Sequence, residues 1–305
     1  MQTNHKNAAL APYLALTATS IIWGTTWVVM KLGIQGMPAL QLASIRQFLG
    51  GVLFVGFFAI KRTALPTGQQ WKQLLVLSFL TFVFANGLST WSLEYIPGGF
   101  GALIGALYPL MVVVIEYFLY KSKQLNALSL VGILLGIAGL VLVLYQNLVA
   151  PHTMAFYGGL ALAIAAMISW SFSTVFLSKN KSTLNPYYGM GWQMLISSVF
   201  IYLLSLGYGK NIALETIPVK SWLSIAYLIA FGSIAALVAF LYSLQKLPSG
   251  IATLYAYINP IIAIVLGSFV LPDEHLTWQI IVGTCVTLLG VYLVNYSIRS
   301  QMQKG

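Results

Sequence analysis

Ten runs of about twenty mostly apolar residues follow one another along this chain, and that repetition limits its fold more than any single motif does. A helical run of this length matches the hydrocarbon thickness of a bilayer. Hydrocarbon offers no hydrogen bonds, so only helices and closed barrels can cross it with every backbone group paired. The runs cover roughly residues 11–31, 39–60, 72–93, 98–119, 127–146, 155–178, 187–207, 221–243, 249–271 and 278–297. Turn-forming residues separate them, among them Gly36-Met37-Pro38, Pro66-Thr67-Gly68, Asn185-Pro186 and Leu271-Pro272-Asp273. Composition agrees: 7% of the residues are charged, against about a quarter in a soluble domain. The sequence therefore predicts an all-α polytopic membrane protein with ten transmembrane helices. No connection is long enough for an extramembrane catalytic module. The first run is longer than the roughly 7–15 residues of a signal-peptide core, and is expected to stay as a span.

Net charge +10 would suggest nucleic acid in a soluble protein. Here the basic residues sit in short loops. With the N-terminus inside, Lys6, Lys61, Arg62, Lys72, Lys121, Lys123, Lys179, Lys181, Lys246, Arg299 and Lys304 fall on the inner side. Only Lys31, Lys210 and Lys220 fall outside, with Arg46 inside a span and left out. That bias obeys the positive-inside rule and places both termini in the cytoplasm of a cell whose plasma membrane holds the chain. The single cysteine, Cys285, can form no intramolecular disulfide.

The second half of the chain repeats the first. A shift of 151 residues lays 71–145 on 222–296 without a gap, with about 18 of 75 positions identical. Apolar composition inflates such a score, but the coinciding residues are informative ones. Trp71 falls on Trp222, Pro97 on Pro248, Pro109 on Pro260, Gly132 on Gly283 and Gly139 on Gly290. The first two spans align less well, with Trp23 on Trp170 and Arg46 on Gln193. We divide the chain into repeats 1–147 and 148–305. A unit of five spans must insert its second copy upside down, and the loops agree. Lys121 and Lys123 lie in an inner loop where the repeat-related outer loop has Asp273 and Glu274. Inverted repeats with a site near the midplane are a recurring plan of secondary transporters.

Within this repeat one stretch occurs twice, Pro97 to Pro109 and Pro248 to Pro260. Both open on proline, run through small residues and close on a polar residue before a second proline, Tyr108-Pro109 and Asn259-Pro260. Small residues let helices approach closely. A residue before proline avoids the helical region, so local unwinding is expected at Tyr108 and Asn259. The two stretches are expected to meet near the middle of the protein.

The motifs also resemble a family. Trp23-Gly24-Thr25-Thr26-Trp27 with Lys31, Arg46 in a second span, paired Pro109 and Pro260, and Glu274-His275-Leu276-Thr277-Trp278-Gln279 followed by Gly283 and Gly290-Val291 are similar to EamA-type members of the drug/metabolite transporter superfamily. The resemblance covers nearly the whole chain. It implies ten helices in two inverted five-helix halves and movement of small organic metabolites, often export of amino acids. Lys123 stands where the second half has Glu274, so the acidic loop motif is missing from the first half.

Polar and aromatic residues inside the spans are the candidate substrate contacts. Arg46 lies about eight residues into its span; a central Arg costs at least ~2.5 kcal/mol on insertion scales, so it faces protein or water. Its planar fork suits a carboxylate or phosphate; the alternatives are a structural Arg bonded to carbonyls freed near Pro109 or Pro260, or one snorkelling outward. Trp23, Thr26, Trp27, Gln47, Asn86, Ser89, Thr90 and Tyr108 lie at depth in the first half; Trp170, Ser173, Gln193, Tyr242, Tyr255, Tyr257 and Asn259 lie in the second. Trp23 and Trp27 share a helix face, as do Asn86 and Thr90. Such a set suits an amphipathic cavity. Each residue alone is better explained by interfacial aromatics or by hydroxyls and amides bridging helices; it is the set that favours a cavity. Gly98, Gly101 and Gly105 in the fourth span, Gly132, Gly136 and Gly139 in the fifth, and Gly283 and Gly290 in the tenth are read as packing surfaces.

No residues have metal-ligand spacing, no phosphate-binding glycine loop occurs, and no catalytic triad assembles at depth. Neither cofactor nor metal is expected, and no enzymatic activity. The reading is a secondary transporter, an exporter of small metabolites such as amino acids, working by alternating access. A flippase of a lipid-linked molecule is the alternative, and a non-transporting membrane sensor a more distant one. The expected partners are a small-molecule substrate and the bilayer, not nucleic acid.

Overall fold

The computed structural model describes residues 2–121, 126–149, 153–180, 183–247, 255–272 and 274–302. Eight helices are long and apolar enough to cross a bilayer: Leu10–Gly33, Ala39–Ile60, Gly68–Ser92, Gly98–Tyr120, Met154–Lys179, Pro186–Tyr208, Val219–Ser243 and Trp278–Ser297. Ala127–Val143 and Ile258–Val270 are shorter apolar helices that take the fifth and ninth places. The protein is an all-α polytopic membrane protein, and among the described residues ten apolar helices, eight of them of spanning length, fall on the stretches that hydropathy predicts.

The chain forms two compact units, and neither is a sequence half. One unit holds Met1–Val28, Pro97–Thr153 and Ala230–Gly305; the other holds Val29–Ile96 and Met154–Ile229. In the first unit the fifth and tenth spans pack through their glycines. A Cβ on Gly132 would fall 2.6 Å from the carbonyl oxygen of Gly290, and one on Gly283 2.7 Å from that of Gly139. The shift of 151 turns the first of these contacts into the second, which is the mark of a two-fold axis. Residue numbers rise along one helix as they fall along the other, so these repeat-related spans are antiparallel and the second repeat is inverted. Such backbone contact is how helices associate where lipid gives no hydrophobic drive. Ser129 Oγ donates to Ser297 Oγ at 3.0 Å along the same seam.

In the other unit the second and seventh spans, also repeat-related, pack antiparallel. Gly51 leaves room for Leu195, whose backbone nitrogen would lie 2.8 Å from a Cβ there, and Gly191 does the same for Phe54 at 2.7 Å. Lys31 closes the end of the third span by donating to the carbonyls of Leu93 at 2.5 Å and Ile96 at 3.0 Å. Glu94 accepts the Ala39 N–H at 2.9 Å and so caps the second span.

Two departures from regular helix were not expected from the sequence. The third span is π-helical over Ser78–Gly87 and the eighth over Leu228–Ala235. The shift of 151 lays one segment over most of the other, so the repeat carries the irregularity in both copies. The fourth span also breaks, between helices Gly98–Gly105 and Tyr108–Tyr120. The turn lies at residues 106 and 107 rather than at Tyr108. Pro109 then stands in the first turn of the new helix, where its missing N–H costs nothing. No unwinding occurs at Asn259: helix Tyr255–Val270 runs through Pro260. A proline deletes one backbone bond, and the flanking ones carry the helix past it. Residues 248–254 of the second twin stretch, Lys123 and Asp273 lie outside the described residues.

Candidate functional site

Arg46 anchors a polar cluster in the unit that holds the second, third, sixth and seventh spans. It is 6% exposed, in mid-helix, and Gln47 beside it is fully buried. One guanidinium nitrogen of Arg46 lies 3.6 Å from the sulfur of Met30, and the Thr90 hydroxyl lies 3.6 Å from the same sulfur. Gln47 Nε2 donates to Asn86 Oδ1 at 2.9 Å. Thr90 and Ser89 return their hydroxyls to the Asn86 carbonyl, at 2.8 and 3.0 Å. Asn86 stands near the end of the π-helical segment, and hydroxyls three and four residues on reach back to its carbonyl as Ser and Thr do in ordinary helices. Arg46 and Thr90 are thus brought together through Met30, and Asn86 joins them through Thr90 and Gln47; sequence reasoning passed over Met30 because thioethers look like core. Gln47 Oε1 is buried and has no hydrogen-bond partner among the described residues. The cluster thus combines a buried guanidinium with a buried acceptor on the next residue that the described residues leave unmet.

Trp170 and Gln193 take no part in that cluster. Trp170 is half-buried on the sixth span, its carbonyl accepting the Thr174 hydroxyl at 2.9 Å. Gln193 is 8% exposed on the seventh. Ser173 instead shares a 2.5 Å hydroxyl bond with Thr81.

The other unit gathers an aromatic cluster. Trp23 lies 4.9 Å edge-on from Tyr255 and 5.1 Å from Phe240; Phe240 lies 5.3 Å from Tyr255. Tyr108 stacks on Tyr255 at 6.0 Å. Trp23 Nε1 donates to the Gly232 carbonyl at 3.1 Å, a carbonyl of the second π-helical segment. Pairs of this geometry are worth about 0.5–1.5 kcal/mol each beyond area burial. Trp23, Tyr108 and Tyr255 therefore meet, and the last two bring the twin stretches into contact. Phe240, which joins them, was missed, although the repeat shift lays it on Ser89 and so flags it. Trp27 is half-buried, its ring 3.4 Å from where a Cβ on Gly105 would stand. Thr26 turns back on its own helix, donating to the Trp23 carbonyl at 2.7 Å, and so acts in helix geometry. Tyr242 is half-buried and no member of the ring cluster. Asn259 presents its backbone oxygen to Gly24, 3.2 Å from a Cβ there, and its Oδ1 is buried without a partner among the described residues. The side chain of Tyr257 lies outside the described residues.

A cleft of about 500 Å³ opens in the Arg46 unit between Trp91, Tyr95, Tyr208 and Lys210, and none of the predicted contacts lines it. Burial, then the 2.6 Å bond to Tyr208 and the nearby Glu94, push the Tyr95 phenol up to about 12. Among the described residues no three of His, Cys, Asp and Glu come together as metal ligands would.

Comparison with known proteins gives this arrangement its context. The EamA-like transporter family matches residues 10–145 and again 157–296. The chain is 29% identical over 257 residues to the uncharacterized inner membrane transporter YedA of Escherichia coli K12, covering 83% of this chain and 81% of that protein. It is 28% identical over 291 residues to the uncharacterized transporter YvbV of Bacillus subtilis 168, covering 94% of this chain and 92% of that one. One solved crystal structure superposes with a TM-score of 0.67 at 16% identity, over 95% of this chain and 98% of its own, and so shares the fold.

Proposed function

The chain belongs to the EamA-like transporter family, within the drug/metabolite transporter superfamily, and on that premise we propose that it exports small polar or amphipathic metabolites, amino acids first among them. It is a multi-pass membrane transporter and not an enzyme. The finer reading rests on one observation above the rest: Arg46 is buried in mid-span within a bonded polar cluster that still holds the unmet acceptor Gln47 Oε1. A guanidinium held there can grip a carboxylate through two parallel hydrogen bonds. Gln47 Oε1 can accept from an ammonium group, so together the two answer both charges of an amino-acid zwitterion. Within the other unit, the Trp23, Tyr108, Tyr255 and Phe240 rings offer apolar contact, as does the half-buried Trp27. Asn259 Oδ1 offers a further acceptor.

The transporter works by alternating access and is built from two inverted repeats, 1–147 and 148–305. It sits in the plasma membrane with both termini cytoplasmic, a reading that the loop charges support. Comparing metabolomes of medium and cytoplasm in cells with and without the chain tests the export reading. An amino acid that rises in the medium and falls inside only when the chain is present supports it; unchanged pools, or a change confined to lipid-linked compounds, overturns it.

A further inference from the structure

The backbone N–H groups that open the fourth span are held by a side chain from near the other end of the sequence. Glu274, in the loop after the ninth span, is 9% exposed. Its Oε1 accepts the Gly98 N–H at 2.5 Å and its Oε2 the Gly99 N–H at 3.3 Å. Glycines make the space for it. A Cβ on Gly267 would stand 2.5 Å from Oε2, one on Gly98 3.3 Å from Oε1 and one on Gly99 3.6 Å from Oε2. All four residues belong to one compact unit. The other described carboxylates are more open, Glu94 and Glu116 half-buried and Glu215 exposed. First-turn N–H groups have no acceptor within their own helix, and a carboxylate is favoured at that positive end.

The helix so held, Gly98–Gly105, carries the rest of the argument. Its last residue, Gly105, lies against the Trp27 ring, with 3.4 Å from a Cβ there to the nearest ring atom. After the turn at residues 106 and 107 comes Tyr108, which stacks on Tyr255. The carboxylate thus sits at one end of a two-turn helix and both rings lie at its other end.

We propose that Glu274 is a positioning residue for transport, its carboxylate holding Gly98–Gly105 in the register that sets Trp27 and Tyr108 for substrate. The proposal rests on the reading that these rings contact the transported molecule. The repeat-related residue is Lys123, which has no acceptor, so the same bonds cannot be made from that position.

Amide hydrogen exchange on the full chain in lipid nanodiscs tests the tie without any substrate. The peptide covering residues 97–105 is compared in the wild type, Glu274→Gln and Gly267→Ala, the last leaving the acid in place but occupying its space. Both variants are expected to exchange the Gly98 and Gly99 amides about tenfold faster, as loss of charge-assisted bonds requires. Unchanged exchange in both would overturn the proposal. Counterflow of a panel of radiolabelled amino acids in proteoliposomes then tests the consequence. The half-saturating concentration is expected to rise about fivefold in both variants, and no further in the double variant, because they break one interaction. A lower maximal rate at an unchanged half-saturating concentration would mark a merely structural carboxylate and overturn the positioning role. If the wild type carries none of the panel, the amino-acid reading falls and the exchange result alone decides the tie.

Discussion

Gly139 and Gly283 meet backbone to backbone and reciprocally: a Cβ on Gly139 would stand 2.6 Å from the carbonyl oxygen of Gly283, and one on Gly283 2.7 Å from that of Gly139. The contact therefore tolerates no side chain from either direction. Gly139→Leu and Gly283→Leu are each expected to lower stability by about 1–3 kcal/mol or more, the range for overpacked sites. Gly56→Leu, with nothing within 4 Å of its Cβ, is the matched control. Thermal unfolding in nanodiscs, followed by loss of helical circular dichroism, is expected to shift down for the first two and not for the third.

Arg46 carries the proposed carboxylate contact. Arg46→Gln and Arg46→Lys are both expected to cut amino-acid flux at least about tenfold, because lysine keeps the charge but not the planar fork. Flux per folded transporter, normalised to the monodisperse fraction in gel filtration, is the measurement. Full flux in Arg46→Lys would reduce the requirement to a charge, and full flux in both would remove Arg46 from the substrate path.

Asn86→Ala isolates the structural side of that cluster. It leaves Gln47 Nε2, now paired with Asn86 Oδ1 at 2.9 Å, with no acceptor in a buried place. The expected loss of stability is about 1–3 kcal/mol. Gln47→Leu combined with Asn86→Ala removes both polar ends, and is expected to recover part of that loss in the same unfolding measurement.

Trp23 makes two kinds of contact that substitution can separate. Trp23→Phe keeps a ring against Tyr255 and Phe240 but drops the 3.1 Å bond to the Gly232 carbonyl. It is expected to cost about 1 kcal/mol of stability and to leave flux within about threefold. Trp23→Leu removes the ring itself and is expected to reduce flux more than stability. Equal flux in both variants would make the rings core rather than path.

The spans, their number and the inversion of the repeat were legible in the sequence because hydropathy and glycine spacing act locally and additively. Gly132, Gly139, Gly283 and Gly290 pack as their spacing suggested, and Asn86 and Thr90 share a helix face as their spacing suggested; that Arg46 meets Thr90 through Met30 was not legible. What lay hidden depends on backbone detail or distance in sequence. The π-helical segments at Ser78–Gly87 and Leu228–Ala235 contain no proline, and no side-chain pattern distinguishes them from ordinary helix. The break of the fourth span lies at residues 106 and 107, because Pro109 suits the start of a helix as well as it disrupts the middle of one. Asn259 stays helical although it too precedes a proline. Glu274 read as a loop acid, and only the fold brings it to Gly98.

The most direct test of the account is flux itself. Purified protein reconstituted in proteoliposomes preloaded with unlabelled amino acids is mixed with trace radiolabelled ones, one at a time. The account predicts saturable accumulation of at least one amino acid above protein-free vesicles, abolished in Arg46→Gln. Counts equal to those of protein-free vesicles for every amino acid tested, from protein that is folded and correctly inserted, would contradict it.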